Sequence, residues 1–403
     1  STRGLDRNLG VGVVAIVAGS LLALAGVVLL ASGVVAGELP PIKIGFSSPL
    51  SPPGDYQSGL INLQTANLSI EMINEAGGVL GRRLQLVVGD DQGTPAAGIQ
   101  VVRKLVTEDR VSAIVGVWHG SVALAQAREA TRYRTPLLAH YSWPDEITAM
   151  HSDYVFRVSP YNSQIAELLI PFLQKRGYRN VAVLAENTDY GTGFSNALAE
   201  SGRAVGINVT VETFPATATD LQPEILKLRR AQPPIDLLVV ASVYQAAYLI
   251  PRQARELGLR ADIMAGWDYP GWSPDWWKIV GRHGVGVMYP TFYSKKMKLT
   301  GRGEAFRKRY VERFGAEPPI YAYFLHDEIA MVAKAIEQAG SADPEAVART
   351  LAGLSFEGTT GEIRFERRPG PGPVYNQWMG QQLFIIQFTE ENQSQDEAAI
   401  IYP

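Results

Sequence analysis

Ile42-Lys43-Ile44-Gly45-Phe46-Ser47-Ser48 opens the rhythm that decides the fold. This apolar run reads as a strand, and a polar, Pro/Gly-rich loop (Pro49–Gly54) follows it. A helix is predicted near Ser58–Ala76, because Leu63, Ala66, Ile70 and Ile73 recur at steps of three and four. Gly77-Gly78 ends it, since glycine readily takes the positive φ of a helix C-terminus. A strand at Arg83–Gly89 comes next, then a helix from Pro95 with Ile99, Val102 and Val106 on one face. Val111–Val117 reads as a strand, Ser121–Tyr133 as a helix and Pro136–His140 as a fourth strand. The alternation returns with strands at Val181–Ala185, Asn208–Phe214, Leu237–Ala241 and Ile263–Ala265. Between them lie helices near Gly193–Val205, Leu221–Ala231 and Tyr244–Leu257. Strand–helix alternation gives a parallel sheet with helices on both faces. Two such series predict an α/β chain of two doubly wound lobes, with ligand-binding loops at the strand ends facing each other across a cleft.

Outside the two series, Tyr154–Ser159 and Val285–Thr291 are extended runs. Helices are expected at Ser163–Arg176, Arg302–Phe314 and Tyr323–Ala339, and another starts where Asp343 caps and Pro344 takes the first turn. Pro171 and Pro251 fall inside helical patterns and predict kinks. Leu383–Phe388 reads as the last strand before a polar tail.

Composition narrows the functional classes. Of 403 residues, 46% are hydrophobic and 19% charged, a globular profile. The net charge of −3 leaves no basic stripe for nucleic acid. The absence of cysteine excludes disulfides, thiolate metal sites and a thiol nucleophile. No phosphate loop, dinucleotide glycine fingerprint, zinc-protease helix or nucleophile elbow is present, so the chain is not read as an enzyme and needs no cofactor. His119 and His140 end adjacent strands, but two imidazoles without a third ligand read as polar cleft histidines rather than a metal site. From Asn8 to Gly37 no charge occurs, a length sufficient to cross a bilayer as a helix. Arg3 and Arg7 precede that run, which directs the body outward. Residues 1–41 are thus a signal peptide or a membrane anchor with its linker, and the body is extracytoplasmic.

Asn74-Glu75-Ala76-Gly77-Gly78-Val79-Leu80-Gly81-Arg82-Arg83, followed by Asp90-Asp91, resembles the first lobe of type I periplasmic solute-binding proteins, in their branched-chain amino-acid-binding branch. Lys104-Leu105-Val106, Ile114-Val115-Gly116, Phe156-Arg157-Val158, Asp189-Tyr190-Gly191-Thr192-Gly193 and Arg252–Leu259 continue the likeness from Ile42 to Phe388. The resemblance implies two Rossmann-like lobes joined by a three-strand hinge, with crossings near Phe156–Ser159, Val287–Thr291 and Gln382–Phe388. Lobe 1 would be 42–157 with 291–381, and lobe 2 would be 158–290 with 382–403. The function implied is capture of an amino acid or similar small carboxylate for the membrane permease of an ABC importer, by a monomer. A ligand-sensing module of the same fold is the alternative.

The same resemblance points to the site. Trp118, His119, Gly120 and Ser121 leave a strand and open a helix, so their amides and the helix dipole suit a carboxylate. Ser121 would add its hydroxyl, or serve only as a helix cap. Tyr141, Ser142 and Trp143 follow the next strand, where the family usually has small polar residues. Tyr190, at the close of a strand, and Tyr244, opening a helix, match ligand-contacting positions in the opposite lobe. The family's acid for a ligand ammonium falls at Trp267 or Asp268; Asp268 could equally be a turn former. Trp118, Trp143, Trp267 and Trp272 all lie in strand-end loops, which suggests a cleft suited to a ring or bulky aliphatic chain.

Overall fold

The computed structural model describes residues 39–403 except 268 and 274. The N-terminal hydrophobic segment lies outside the described residues, as does Asp268. Among the described residues no helix is long and apolar enough to cross a membrane.

The first series runs β1 (Ile42–Ser48), α1 (Tyr56–Glu75), β2 (Leu84–Asp90), α2 (Pro95–Thr107), β3 (Ile114–Val115), α3 (Gly120–Arg132), β4 (Leu137–Ala139), α4 (Glu146–Ala149) and β5 (Val155–Arg157). The second comprises α5 (Asn162–Arg176), β6 (Asn180–Glu186), α6 (Asp189–Ala204), β7 (Asn208–Phe214), α7 (Gln222–Arg229), β8 (Leu237–Ala241), α8 (Ala246–Glu256) and β9 (Asp262–Met264). It closes with the short α9 (Tyr269–Trp272) and α10 (Trp276–Val280), then β10 (Met288–Thr291). Helices α11 (Gly301–Phe314), α12 (Ile320–Ala339) and α13 (Pro344–Gly353) follow. The chain ends in β11 (Ser355–Glu357), β12 (Glu362–Arg364), β13 (Glu366–Arg367), β14 (Tyr375–Gln377), β15 (Phe384–Gln387) and β16 (Ala399–Tyr402).

Two seven-stranded sheets result, in the orders β13-β14-β5-β4-β3-β1-β2 and β16-β15-β10-β9-β8-β6-β7. The pairs from β2 to β5 and from β7 to β10 are all parallel, and the strand order reverses beside β1 in one sheet and beside β6 in the other. Central β8 is buried at every position, as a parallel strand covered on both faces must be, whereas edge strand β7 alternates. The chain passes from the first sheet to the second between β5 and β6, returns between β10 and β13, and crosses again between β14 and β15. At the crossings the Gln377 amide donates to Ser159 O (2.9 Å) and the Gln381 amide to Val158 O (2.6 Å).

Local chemistry explains the element ends. Thr94 accepts from Ala97 N ahead of Pro95, and Asp343 accepts from Ala346 N ahead of Pro344, so both prolines occupy first-turn positions that need no donor. The structure also corrects several expectations. The strand expected at Val111–Val117 shortens to two residues, because Gly116 turns at φ +86° against the Phe46 ring. The helix expected from Gly193 begins at Asp189, since the Thr188 hydroxyl accepts from Gly191 N; Tyr190 therefore sits in a first helical turn and does not close a strand. The helix expected from Tyr244 starts at Ala246, the one expected from Tyr323 at Ile320, and Trp272 lies on α9 rather than in a loop. Leu383–Phe388 is not the last strand either. Ala399–Tyr402 pairs antiparallel with β15, its Ile400 opposite Ile386.

Candidate functional site

In an open α/β sheet ligands bind beyond the carboxyl ends of the strands, where the strand order reverses. Here two such points face each other. Between them lies a chamber lined by Trp118, His119, Gly120, Tyr141, Trp143 and Trp272 together with Tyr190, Val243 and Trp267. Its walls are rings set edge to face. Trp143 of the first lobe meets Trp267 at 4.9 Å and 88° and Tyr190 at 5.5 Å and 77°, while Trp118 stacks on Tyr141 at 5.4 Å. Such pairs are favourable because the ring edge is positive and its face negative. Among the described residues, the largest apolar cluster runs through these rings into both lobes.

The first-lobe wall is held from behind by Arg157 at the end of β5. Its side chain is fully buried. Nη1 donates to Pro144 O (2.8 Å) and Ser142 O (3.2 Å), Nη2 to the Thr148 hydroxyl (2.7 Å), and Nε to Gln377 Oε1 (2.7 Å). The loop bearing Trp143 is thus tied to the strand at the third crossing. Burial draws the guanidinium pKa down to about 10, opposed by the charges of Asp145, Tyr161 and Glu146, so Arg157 remains a cation. The Ser142 hydroxyl is spent on the carbonyls of Val117 (2.9 Å) and Trp118 (2.7 Å), which locks the two strand-end loops together. Gly120 admits no side chain, because a Cβ there would stand 2.7 Å from Pro144 Cγ.

The second-lobe wall is held by Glu186 at the end of β6. It accepts from Val243 N (2.9 Å) and from the Thr188 hydroxyl (2.8 Å). Burial lifts this carboxyl to about 7 against those hydrogen bonds. Burial, and then the charge of Glu186, raise the Tyr190 hydroxyl well above its ordinary value, with Trp267 acting in the other direction.

Cross-lobe contacts draw the walls together. His119 stacks on Tyr244 at 4.9 Å and 15°, and its Nε2 accepts from Asp55 N at 2.9 Å. Burial lowers the imidazole to about 4, so it is neutral and offers no cation to a ligand. Asp189 N donates to the Ser121 hydroxyl (3.2 Å), and the Gln57 amide donates to Asp275 (2.7 Å).

Of the residues singled out from sequence, Trp118, His119, Gly120, Tyr141, Trp143, Tyr190 and Trp267 converge on the chamber. Ser121 is not a cap, since His119 takes the N-cap position; its hydroxyl faces the other lobe's Asp189. Ser142 is turned to the backbone, and Tyr244 lines an adjoining cavity. His140 is not a cleft residue: it is fully buried behind Trp118, with Nδ1 3.0 Å from Glu328. Among the described residues no three His, Cys, Asp or Glu side chains gather as a metal site. Sequence reasoning passed over Arg157 and Glu186. Their one signal is a charge set at the end of an otherwise apolar strand.

Comparison with known proteins agrees with this architecture. The sequence profile of the periplasmic binding protein family matches residues 41–390. The leucine-, isoleucine-, valine-, threonine- and alanine-binding protein of Pseudomonas aeruginosa is 28% identical over 336 residues, 81% of this chain and 86% of that protein. Among solved structures, the leucine-binding protein LivK of Thermotoga maritima superposes with a TM-score of 0.79 at 23% identity, covering 90% of this chain and 99% of that one. A solute-binding protein of an ABC transporter from R. palustris, in complex with benzoate, gives 0.77 at 17% identity over 90% and 96%. These relatives are substrate-binding proteins, not enzymes. With a match spanning most of its length, the chain belongs to the periplasmic binding protein family, in the branched-chain amino-acid branch of proteins that work outside the cytoplasm.

Proposed function

We propose that the protein captures a hydrophobic or aromatic amino acid, or a similar small carboxylate, in the interlobe chamber and delivers it as a monomer to the membrane permease of an ABC importer. Residues 1–41 serve as signal peptide or anchor, and the lobes divide as 42–157 with 291–381 and 158–290 with 382–403. The observation that carries this reading is the aromatic chamber set between two facing reversal points, with the first turn of α3 at its edge. The amides of that turn have no partner within the helix, and the helix dipole favours an anion there. The buried Trp143 Nε1–H, which lacks a hydrogen-bond partner, is a further donor for the ligand. The rings take the apolar body, and Asp268 pairs with the ammonium of an amino acid. Closure follows because the second-lobe contacts exist only when the lobes meet around the ligand. The names of relatives that bind leucine and benzoate support both ligand classes.

Calorimetric titration with L-leucine, L-phenylalanine and benzoate tests the proposal. At least one should saturate the protein with a 1:1 stoichiometry, and silence from all three overturns it. If an amino acid binds, Asp268→Asn should weaken it by on the order of 2–4 kcal/mol through loss of the charge partner proposed for its ammonium. Unchanged affinity removes Asp268 from the site.

A further inference from the structure

Behind the first-lobe wall of the chamber lies a buried acid–base pair that the ligand site does not use. His140 follows β4, and Glu328 sits midway along α12. Both side chains are wholly buried, with Nδ1 3.0 Å from Oε1. The imidazole centroid is 6.0 Å from that of Trp118 and 6.3 Å from that of Tyr141, and both of those rings line the chamber. The pair thus stands one ring layer behind a bound ligand. Few other charges face it. Asp327, the neighbour of Glu328 on α12, is turned to Thr359 and accepts from its amide (2.9 Å) and hydroxyl (2.7 Å). Arg157 on the adjacent strand β5 spends its guanidinium on the Ser142 and Pro144 carbonyls, the Thr148 hydroxyl and Gln377. The remaining neighbours are the rings of Trp118, Tyr141 and Tyr321. His140 Nε2 has no hydrogen-bond partner among the described residues, so Glu328 alone addresses the imidazole.

A single proton in the Nδ1···Oε1 contact leaves the pair with one net negative charge, buried without a counterion. A second proton, taken from solvent, makes it imidazolium–carboxylate or imidazole–carboxylic acid, neutral in either form. The two groups titrate as one unit. Burial raises the Glu328 carboxyl, against the charge and hydrogen bond of His140 and the Gly116 amide. These influences oppose each other, so one further charge nearby decides the balance. A carboxylate in the chamber is such a charge. Across a layer of packed rings, with little water to screen it, it disfavours the anionic pair and favours the neutral one. By linkage, the neutral pair holds the carboxylate more tightly by the same factor.

We infer that the protein binds a proton together with its ligand: a carboxylate captured in the chamber draws one into the His140–Glu328 pair. The inference rests on the chamber being the ligand site proposed above. Calorimetry with the tightest of benzoate, L-leucine and L-phenylalanine, at pH 7 in phosphate and in Tris, counts the protons. The observed heat should vary with the buffer's ionisation enthalpy by between about 0.2 and 1 proton taken up per ligand. Affinity should fall at least about twofold from pH 6 to pH 8. Glu328→Gln should abolish both effects, and Glu328→Asp should retain them. Should Glu328→Gln not fold, His140→Gln serves instead, because burial then keeps the lone carboxyl protonated and the uptake is again lost. Binding without proton uptake in the parent protein overturns the inference and leaves the chamber proposal standing. Uptake that survives in either glutamine variant belongs to another buried carboxyl, Glu186 at about 7 or Asp91 at about 6, and overturns it too. Silence from all three titrants overturns both readings.

Discussion

In the first lobe the loop carrying Trp143 hangs from Arg157, which donates to two backbone carbonyls; in the second the turn carrying Val243 hangs from Glu186, which accepts from a backbone amide. Both ions end a strand and both are buried. They solve the same difficulty: at a strand end the chain leaves the sheet, and its polar backbone groups lose their ladder partners. Orphaned carbonyls call for a donor and orphaned amides for an acceptor. The difference lies in what each ion can do under strain. A guanidinium cannot shed its charge near neutral pH and supplies up to five donors in a fixed fork, so the first wall is rigid at any physiological pH. A carboxyl lifted to about 7 can take up a proton, so the second wall answers to pH.

The strongest way to break this comparison is Arg157→Met. Removing the fork leaves several buried acceptors without donors, and urea denaturation should show a loss on the order of 3–5 kcal/mol. Arg157→Lys should recover only part of it, because one ammonium cannot reach the same four partners. A loss under about 1 kcal/mol would mean that the loop holds itself.

Glu186 gives a pH signature. Its folded pKa of about 7 lies above the ordinary 4.5. Between those values the folded chain keeps a proton that the unfolded chain has released. This group's contribution therefore makes stability fall as pH rises through the window, by up to about 3 kcal/mol. His119 works the other way: lowered to about 4, it makes the fold lose stability as pH falls below its ordinary 6.5. The clean measurement is thus a difference. The change in unfolding free energy from pH 5 to pH 8 should be less negative in Glu186→Gln than in the parent protein, and parallel pH profiles would contradict the assignment. The smallest effect belongs to Gln57→Ala, which removes the cross-lobe hydrogen bond to Asp275. About 1 kcal/mol is expected, read as roughly fivefold weaker binding of the tightest titrant with little change in the urea midpoint. No change in affinity would show that the rings and the Ser121–Asp189 contact hold the lobes shut without it.

The two walls also mark what could be read from sequence. Strands such as Asn208–Phe214 and Leu237–Ala241 emerge at their predicted bounds, because an alternating β-branched run or a wholly apolar one is a local signal. Trp118, Tyr141, Trp143 and Trp267 are legible as strand-end residues for the same reason, whereas Tyr190 and Trp272 prove to be helical. The ions are not legible. Arg157 finds Ser142 15 residues away and Gln377 220 away, and Glu186 finds Val243 57 away. A charge at the end of an apolar strand announces that something unusual is held, but only the fold says what. Strand β16 was missed because a polar stretch hides Ala399–Tyr402 until β15 offers it an edge. Ser121 and Ser142 show the same limit at a finer scale. The family likeness identified both positions, yet their hydroxyls answer to Asp189 and to the Val117 and Trp118 carbonyls, brought near by tertiary structure.

Four of the seven tryptophans line one chamber, and the buried indole N–H of Trp143 has no acceptor. Indole fluorescence responds to hydrogen bonding and to nearby dipoles, so the protein carries its own optical reporter. A ligand that presents a carboxylate to Trp143 should shift the emission without any label, and the quenching pattern would tell an aromatic ring stacked among the indoles from an aliphatic chain.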